Sequence, residues 1–188
     1  MTKKIKKVLP VGTAIYPKLN AIDVYQPTDK KGRPNGPEKR RYMVYVKFDD
    51  DDHRKVDAWL KKCAQELGVE DGKLPWKKDK KTGELWLVAT SGEKYQPLIV
   101  DAKNKKIPNS RVIGGGSKLR LSITVNAYEG FGGGINLYLN AVQVLDLKES
   151  EFGKSPFEEQ EGYSQPDEDD GGDAPDFDPS NTADDTDF

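Results

Sequence analysis

SKLRLSITVNAYEG, residues 117–130, is the stretch on which the fold turns. Leu119, Leu121, Ile123, Val125 and Ala127 alternate there with Lys118, Arg120, Ser122, Thr124, Asn126 and Tyr128. Successive side chains of a strand point to opposite faces, so this segment reads as a strand with one buried face and one wet face. FGGG at 131–134 separates it from INLYLNAVQVLDL at 135–147, and the pair reads as a hairpin with a glycine-bearing loop. Upstream, RRYMVYVKFDD at 40–50 sets Tyr42, Val44, Val46 and Phe48 against Arg41, Met43, Tyr45 and Lys47, which is the same two-faced design.

VGTAIYPKLNAIDVY (11–25), ELWLVATS (84–91) and YQPLIVDA (95–102) supply three more candidate strands. One helix is expected over DDDDHRKVDAWLKKCAQELG (49–68), with acidic residues at its start. Val56, Trp59, Leu60, Cys63 and Leu67 fall at helical spacing, and Gly68 stands at its stop. Five or so long antiparallel strands with a helix between the second and third predict a mainly β chain, an OB-fold-like five-stranded Greek-key barrel. A β-sandwich produces much the same pattern. Tyr42, Phe48 and Trp59 are assigned to the core, and His53, the sole histidine, to a solvated first helical turn.

Charge divides the chain. Residues 1–148 hold 29 Lys and Arg against 17 Asp and Glu, a net of +12, whereas residues 149–188 hold 1 against 15, a net of −14. The acidic segment is rich in Gly, Pro and Ser and poor in branched aliphatics, so it reads as a disordered tail. The domain plan expected is therefore a binding body at 1–148 and a tail at 149–188. Such an asymmetry points to a body that binds a polyanion.

Catalytic and metal chemistry find little support. A single cysteine, Cys63, excludes an intrachain disulfide and a cysteine-based zinc site, and suits a reducing interior. GGGSKL at 114–119 lacks the Gly-Lys-Ser/Thr ending of a phosphate loop and leads into a strand rather than a helix. DDDD at 49–52 and DEDDGGD at 167–173 do not match a calcium-loop register. No catalytic residue, metal or cofactor is assigned. No run approaches the roughly 20 apolar residues of a membrane span, and Pro10, Gly12 and Pro17 interrupt the apolar stretch after the basic N-terminus. A soluble, cytoplasmic protein is expected.

What remains is cations interleaved with aromatics on wet strand faces and in three long basic loops at 26–40, 68–83 and 101–118. Single-stranded nucleic acid is bound by such a combination, because cations track the backbone while flat rings stack on bases of any sequence. The candidate DNA-binding residues are Arg41, Tyr45, Lys47, Trp76, Lys77, Lys78, Trp86, Lys105, Arg111, Lys118, Arg120 and Tyr128. Trp86 is out of phase with Leu85, Leu87 and Ala89 and is expected on the outer face. Tyr16, Lys18, Phe131 and Tyr138 are weaker candidates, and KKIKK at 3–7 reads as a floppy arm.

The tail closes on TADDTDF. Tethered beside a cationic body, it is expected to compete for the DNA groove as a nucleic-acid mimic. On its release Asp184, Asp185, Asp187 and Phe188 would offer charge and one apolar anchor to a partner protein.

With its basic two-faced strands, the hairpin GSKLRLSITVNAYEGFGGGINLYLNAVQVLDL (116–147) and the DDTDF ending, the chain resembles the replicative single-stranded DNA-binding proteins of tailed bacteriophages. That resemblance implies a non-enzymatic protein, monomeric or homodimeric, that coats single-stranded DNA during replication, recombination and repair; whether RNA is a second ligand is left open by the sequence. It also implies that the tail recruits DNA polymerase, helicase-primase or another replication protein. Bacterial counterparts place Pro before the last Phe, where this chain has Asp187. The competing readings are an acidic DNA-mimic or adaptor protein and an accessory factor of a nucleic-acid enzyme.

Overall fold

The alternation at 119–125 buries its apolar face almost completely: in a computed structural model, Leu119, Leu121, Ile123 and Val125 are each at most 1% exposed. The structure describes residues 4–149, all within the first of the two units into which the chain divides, Met1–Lys154. The tail positions Asp184, Asp185, Asp187 and Phe188, and the side chain of Phe131, lie outside the described residues.

In chain order the elements are β1 (Ile5–Val8), β2 (Gly12–Tyr25), β3 (Lys39–Lys47), α1 (Asp50–Glu66), β4 (Trp76–Lys78), β5 (Leu85–Gly92), β6 (Leu98–Asp101), β7 (Lys118–Tyr128) and β8 (Gly134–Asp146). The strands β7, β2, β3, β5 and β8 are linked in that order, and the β7–β8 pairing closes the ring. Two seams are thin: β2 meets β7 at two residue pairs, and β5 meets β8 in parallel at Thr90 and Tyr138. The protein is thus mainly β, with a partly open five-stranded OB-fold-like barrel and one helix between its second and third strands.

Helix α1 starts where its sequence provides for it. The Asp49 carboxylate accepts the Asp52 N–H at 2.8 Å, and Asp50–Asp52 place negative charge against the positive end of the helix dipole. Val56, Leu60, Cys63 and Ala64 join the barrel core, and Trp59 packs partly buried against it. Tyr42 and Phe48 are buried as well.

Four expectations are corrected. Part of the KKIKK arm is β1, paired with β7 from Ile5–Val125 to Val8–Ser122 and tied to the helix by Lys7, whose Nζ lies 4.5 Å above the Trp59 ring. Part of the basic loop at 68–83 is β4, paired with β5. His53 is not free in solvent but lies against Trp76, with ring centres 4.3 Å apart. Met43, opposite in phase to Val44, is nevertheless buried, whereas Leu85, in phase with Leu87, is 42% exposed at its strand end.

The glycines of the β7–β8 turn serve a close backbone approach. Lys73, in the connection from α1 to β4, donates its N–H to the Gly133 carbonyl at 3.0 Å, and its own carbonyl accepts the Ile135 N–H at 3.0 Å. A Cβ at Gly134 would stand 2.3 Å from the Lys73 oxygen, and Gly134 has φ +147, a region that only glycine enters readily.

Candidate nucleic-acid interface

The outer face of the barrel carries an aromatic cluster built from three strands. Trp86 of β5 is at its centre, 6.0 Å from the Tyr16 ring on β2 and 6.0 Å from the Tyr45 ring on β3, in edge-on and tilted arrangements. Tyr45 and Trp86 are half-buried and Tyr16 is 69% exposed. Aromatic pairs at this separation and tilt hold one another in place.

Tyr16 reaches this cluster through a β-bulge. Ile15 pairs with Tyr45, but the next paired residue of β2, opposite Met43, is Lys18, so β2 carries one extra residue. The bulge switches the inward phase from Gly12 and Ala14 to Leu19 and turns Tyr16 outward with φ +44. An aromatic residue in the left-handed region costs on the order of 1–3 kcal/mol, and such strain concentrates at ligand clamps.

Cations flank the cluster unevenly. Lys77 of β4 sits directly opposite Trp86 and is exposed. Lys47 is paired with Glu84, whose other oxygen accepts the Trp86 indole N–H at 3.4 Å. Those two donors, Lys47 first, hold the Glu84 carboxyl below the usual carboxylate range. Arg41 lies on the same side of β3 as Tyr45, with Asp23 at 3.6 Å and the Tyr25 ring centre at 5.9 Å. Its buried Nε makes no hydrogen bond.

Not every candidate joins this face. Trp76 opposes Leu87 and turns inward, where its indole donates to Asp57 at 3.0 Å and its ring meets Phe48 edge-on at 6.5 Å. Lys78 follows at the end of β4. Lys118 and Arg120 lie at the start of β7, bonded to the Thr13 hydroxyl at 2.6 Å and the Leu9 carbonyl at 3.3 Å. Lys105 and Arg111 line a separate surface hollow between the β6–β7 connection and the end of β8, and Tyr128 is at the hairpin end of β7. A row that the alternation alone does not show crosses the whole face through successive strand pairs: Lys18, Met43, Thr90, Tyr138, Thr124 and Lys6. Residues paired in this way project to the same side of a sheet. Among the described residues, no three His, Cys, Asp or Glu side chains come together to hold a metal ion.

No protein-family model matches the sequence, and no curated protein matches it. Solved structures do match. The chain aligns with gp2.5, a single-stranded DNA-binding protein encoded by bacteriophage T7, at 22% identity and a TM-score of 0.58, over 85% of this chain and 100% of that one. It aligns with the C-terminally truncated single-stranded DNA-binding protein of bacteriophage Enc34 at 15% identity and a TM-score of 0.57, over 80% and 93% of the two chains. The Enc34 protein in complex with single-stranded DNA aligns at 18% identity and a TM-score of 0.52, over 78% and 88%. In fold, this chain is similar to single-stranded DNA-binding proteins encoded by bacteriophages.

Proposed function

We propose that the chain is a non-enzymatic single-stranded DNA-binding protein that coats DNA without strong sequence preference in phage replication and recombination. The observation that carries this reading is the Tyr16–Trp86–Tyr45 cluster on the outer barrel face with Lys77 beside it. Rings that stack on any base, next to cations that take the backbone, give affinity without sequence readout. In this reading residues 1–148 bind DNA, while the acidic tail at 149–188 competes for the same face and recruits replication proteins. A flexible tether gives such a competitor an effective concentration in the millimolar range.

The test is a salt titration of binding to labelled oligo-dT by the full chain and by a chain ending at Lys148. The shorter chain is expected to bind more tightly at low salt. With four to six phosphates contacted, log K should fall with log salt at a slope of about −3 to −4. Absence of binding by either chain at low salt would sink the reading in favour of an adaptor that works through its tail.

Glu84 gives a second test. Its carboxylate neutralises Lys47 and lies beside the central ring, where an approaching phosphate is repelled. Glu84→Gln should tighten binding about two- to fivefold at low ionic strength, the scale of an exposed ion pair. The gain should shrink as salt screens the charges. Weaker binding by this variant would show that Glu84 supports the interface rather than opposing it.

A further inference from the structure

We infer that a groove next to the aromatic cluster is a second base-stacking subsite for the same single strand. The inference rests on the single-strand reading above and adds a place for the strand to continue. The groove has a volume of about 940 Å³ and is bordered by Lys4, Lys6 and Lys94, with Tyr95 and Tyr138 at its sides. Tyr95 is 74% exposed and Tyr138 48% exposed, so neither ring is occupied by the core. No carboxylate is among its described lining residues, unlike the hollow beside Arg111, which contains Asp101. Three cations, two open rings and no acid form a surface complementary to a strand with charged phosphates and flat bases.

Local structure sets both rings. Tyr95 ends the turn after β5, where its N–H donates to the Gly92 carbonyl at 2.9 Å and its carbonyl accepts the Ser91 hydroxyl. The ring packs over Gly92, its Cδ2 at 3.9 Å from where a Cβ would stand, an ordinary van der Waals distance. Tyr138 occupies the parallel seam opposite Thr90, next to Thr124, whose hydroxyl accepts an Asn140 amide N–H at 2.9 Å. The groove is continuous with the first cluster in register. Thr90 lies four residues beyond Trp86 on β5, so Tyr138 is ~13 Å along the strand and ~5 Å across it from the central ring. A strand that runs from Trp86 along β5 reaches the paired row at Thr90 and Tyr138, and the row leads on through Thr124 to Lys6.

The experiment uses the full chain and oligo-dT lengths from about 4 to 16 nucleotides, the span of OB-fold site sizes. Tyr95→Ala combined with Tyr138→Ala should match the parent on the shortest oligonucleotides that bind, then fall about tenfold behind on the longest. Trp86→Ala should weaken binding at every length. A strand of equal length without bases adds a second arm: Lys94→Ala should weaken its binding, and the tyrosine pair should leave it unchanged.

Equal affinity of the tyrosine variant and the parent at all lengths, with Trp86→Ala impaired, overturns the second subsite and leaves the single-strand reading intact. Equal loss at the shortest and longest lengths overturns it as a separate station. A matching loss on the abasic strand overturns the stacking role and points to a general polyanion groove suited to acidic polypeptide. Failure of the parent to bind any length overturns both readings.

Discussion

Trp86→Ala is expected to weaken binding to a single-stranded oligonucleotide by about 5- to 150-fold, the equivalent of the ~1–3 kcal/mol carried by one stacked base. Trp86 is singled out because both Tyr16 and Tyr45 lean on it at 6.0 Å. Its removal therefore takes away one platform and loosens two others. Trp86→Phe keeps a ring and should recover most of the loss. Trp76→Phe provides the contrast, since that indole is committed to Asp57 and Phe48. It should lower stability by about 1 kcal/mol, the worth of a typical hydrogen bond, and leave affinity nearly unchanged. Fluorescence anisotropy at fixed salt, paired with denaturation of each variant, separates the two effects. Undiminished binding by Trp86→Ala would place the DNA elsewhere on the barrel.

The second large effect concerns stability. Gly134→Val should destabilise the protein by about 3–5 kcal/mol, combining backbone strain with the loss of one or two hydrogen bonds. The new Cβ would stand 2.3 Å from the Lys73 oxygen and 2.6 Å from its nitrogen, and backbone atoms cannot swing aside as a side-chain tip can. The two bonds that join the hairpin turn to the α1–β4 connection would part first. Against a typical total of 5–15 kcal/mol, such a loss is a large share. Gly130→Ala, four residues earlier in the same turn, meets nothing within 4 Å and should stay within about 0.5 kcal/mol of the parent. Urea midpoints for the two variants check the contrast. Similar midpoints would mean that the turn is not locked to Lys73.

How much of this was legible beforehand depended on how far each feature reaches along the chain. Period-two alternation gave β3, β7 and β8, and helical spacing with an acidic start gave α1, because those signals are local. β1 and β4 were missed as strands. With four and three residues, lysine-rich, they are too short to alternate, and only their partners β7 and β5 make them strands. Trp86 was placed outward by its phase with Leu87 and Ala89, and the structure has it there. Tyr16 defeats the same logic, since phase with Ala14 would turn it inward and only the bulge turns it out. The second groove was illegible in principle, because Lys4, Lys6, Lys94, Tyr95 and Tyr138 belong to three distant segments joined by topology. In sequence Tyr95 reads as the start of a candidate strand over 95–102, whereas it ends the turn after β5 and the strand begins only at Leu98.

Among the described residues, the strand that closes the barrel is also the last to be made. β8 pairs with β5, β6 and β7, and nothing before Gly134 supplies those contacts. A nascent chain therefore cannot seal its core until Asp146 has left the ribosome, and until then the long β8-facing edge of β7 stands open. Loop closure over such separations slows folding toward the millisecond-to-second range of barrels rich in non-local pairs. Synthesis and folding are then successive rather than simultaneous events, and the barrel forms in one late step.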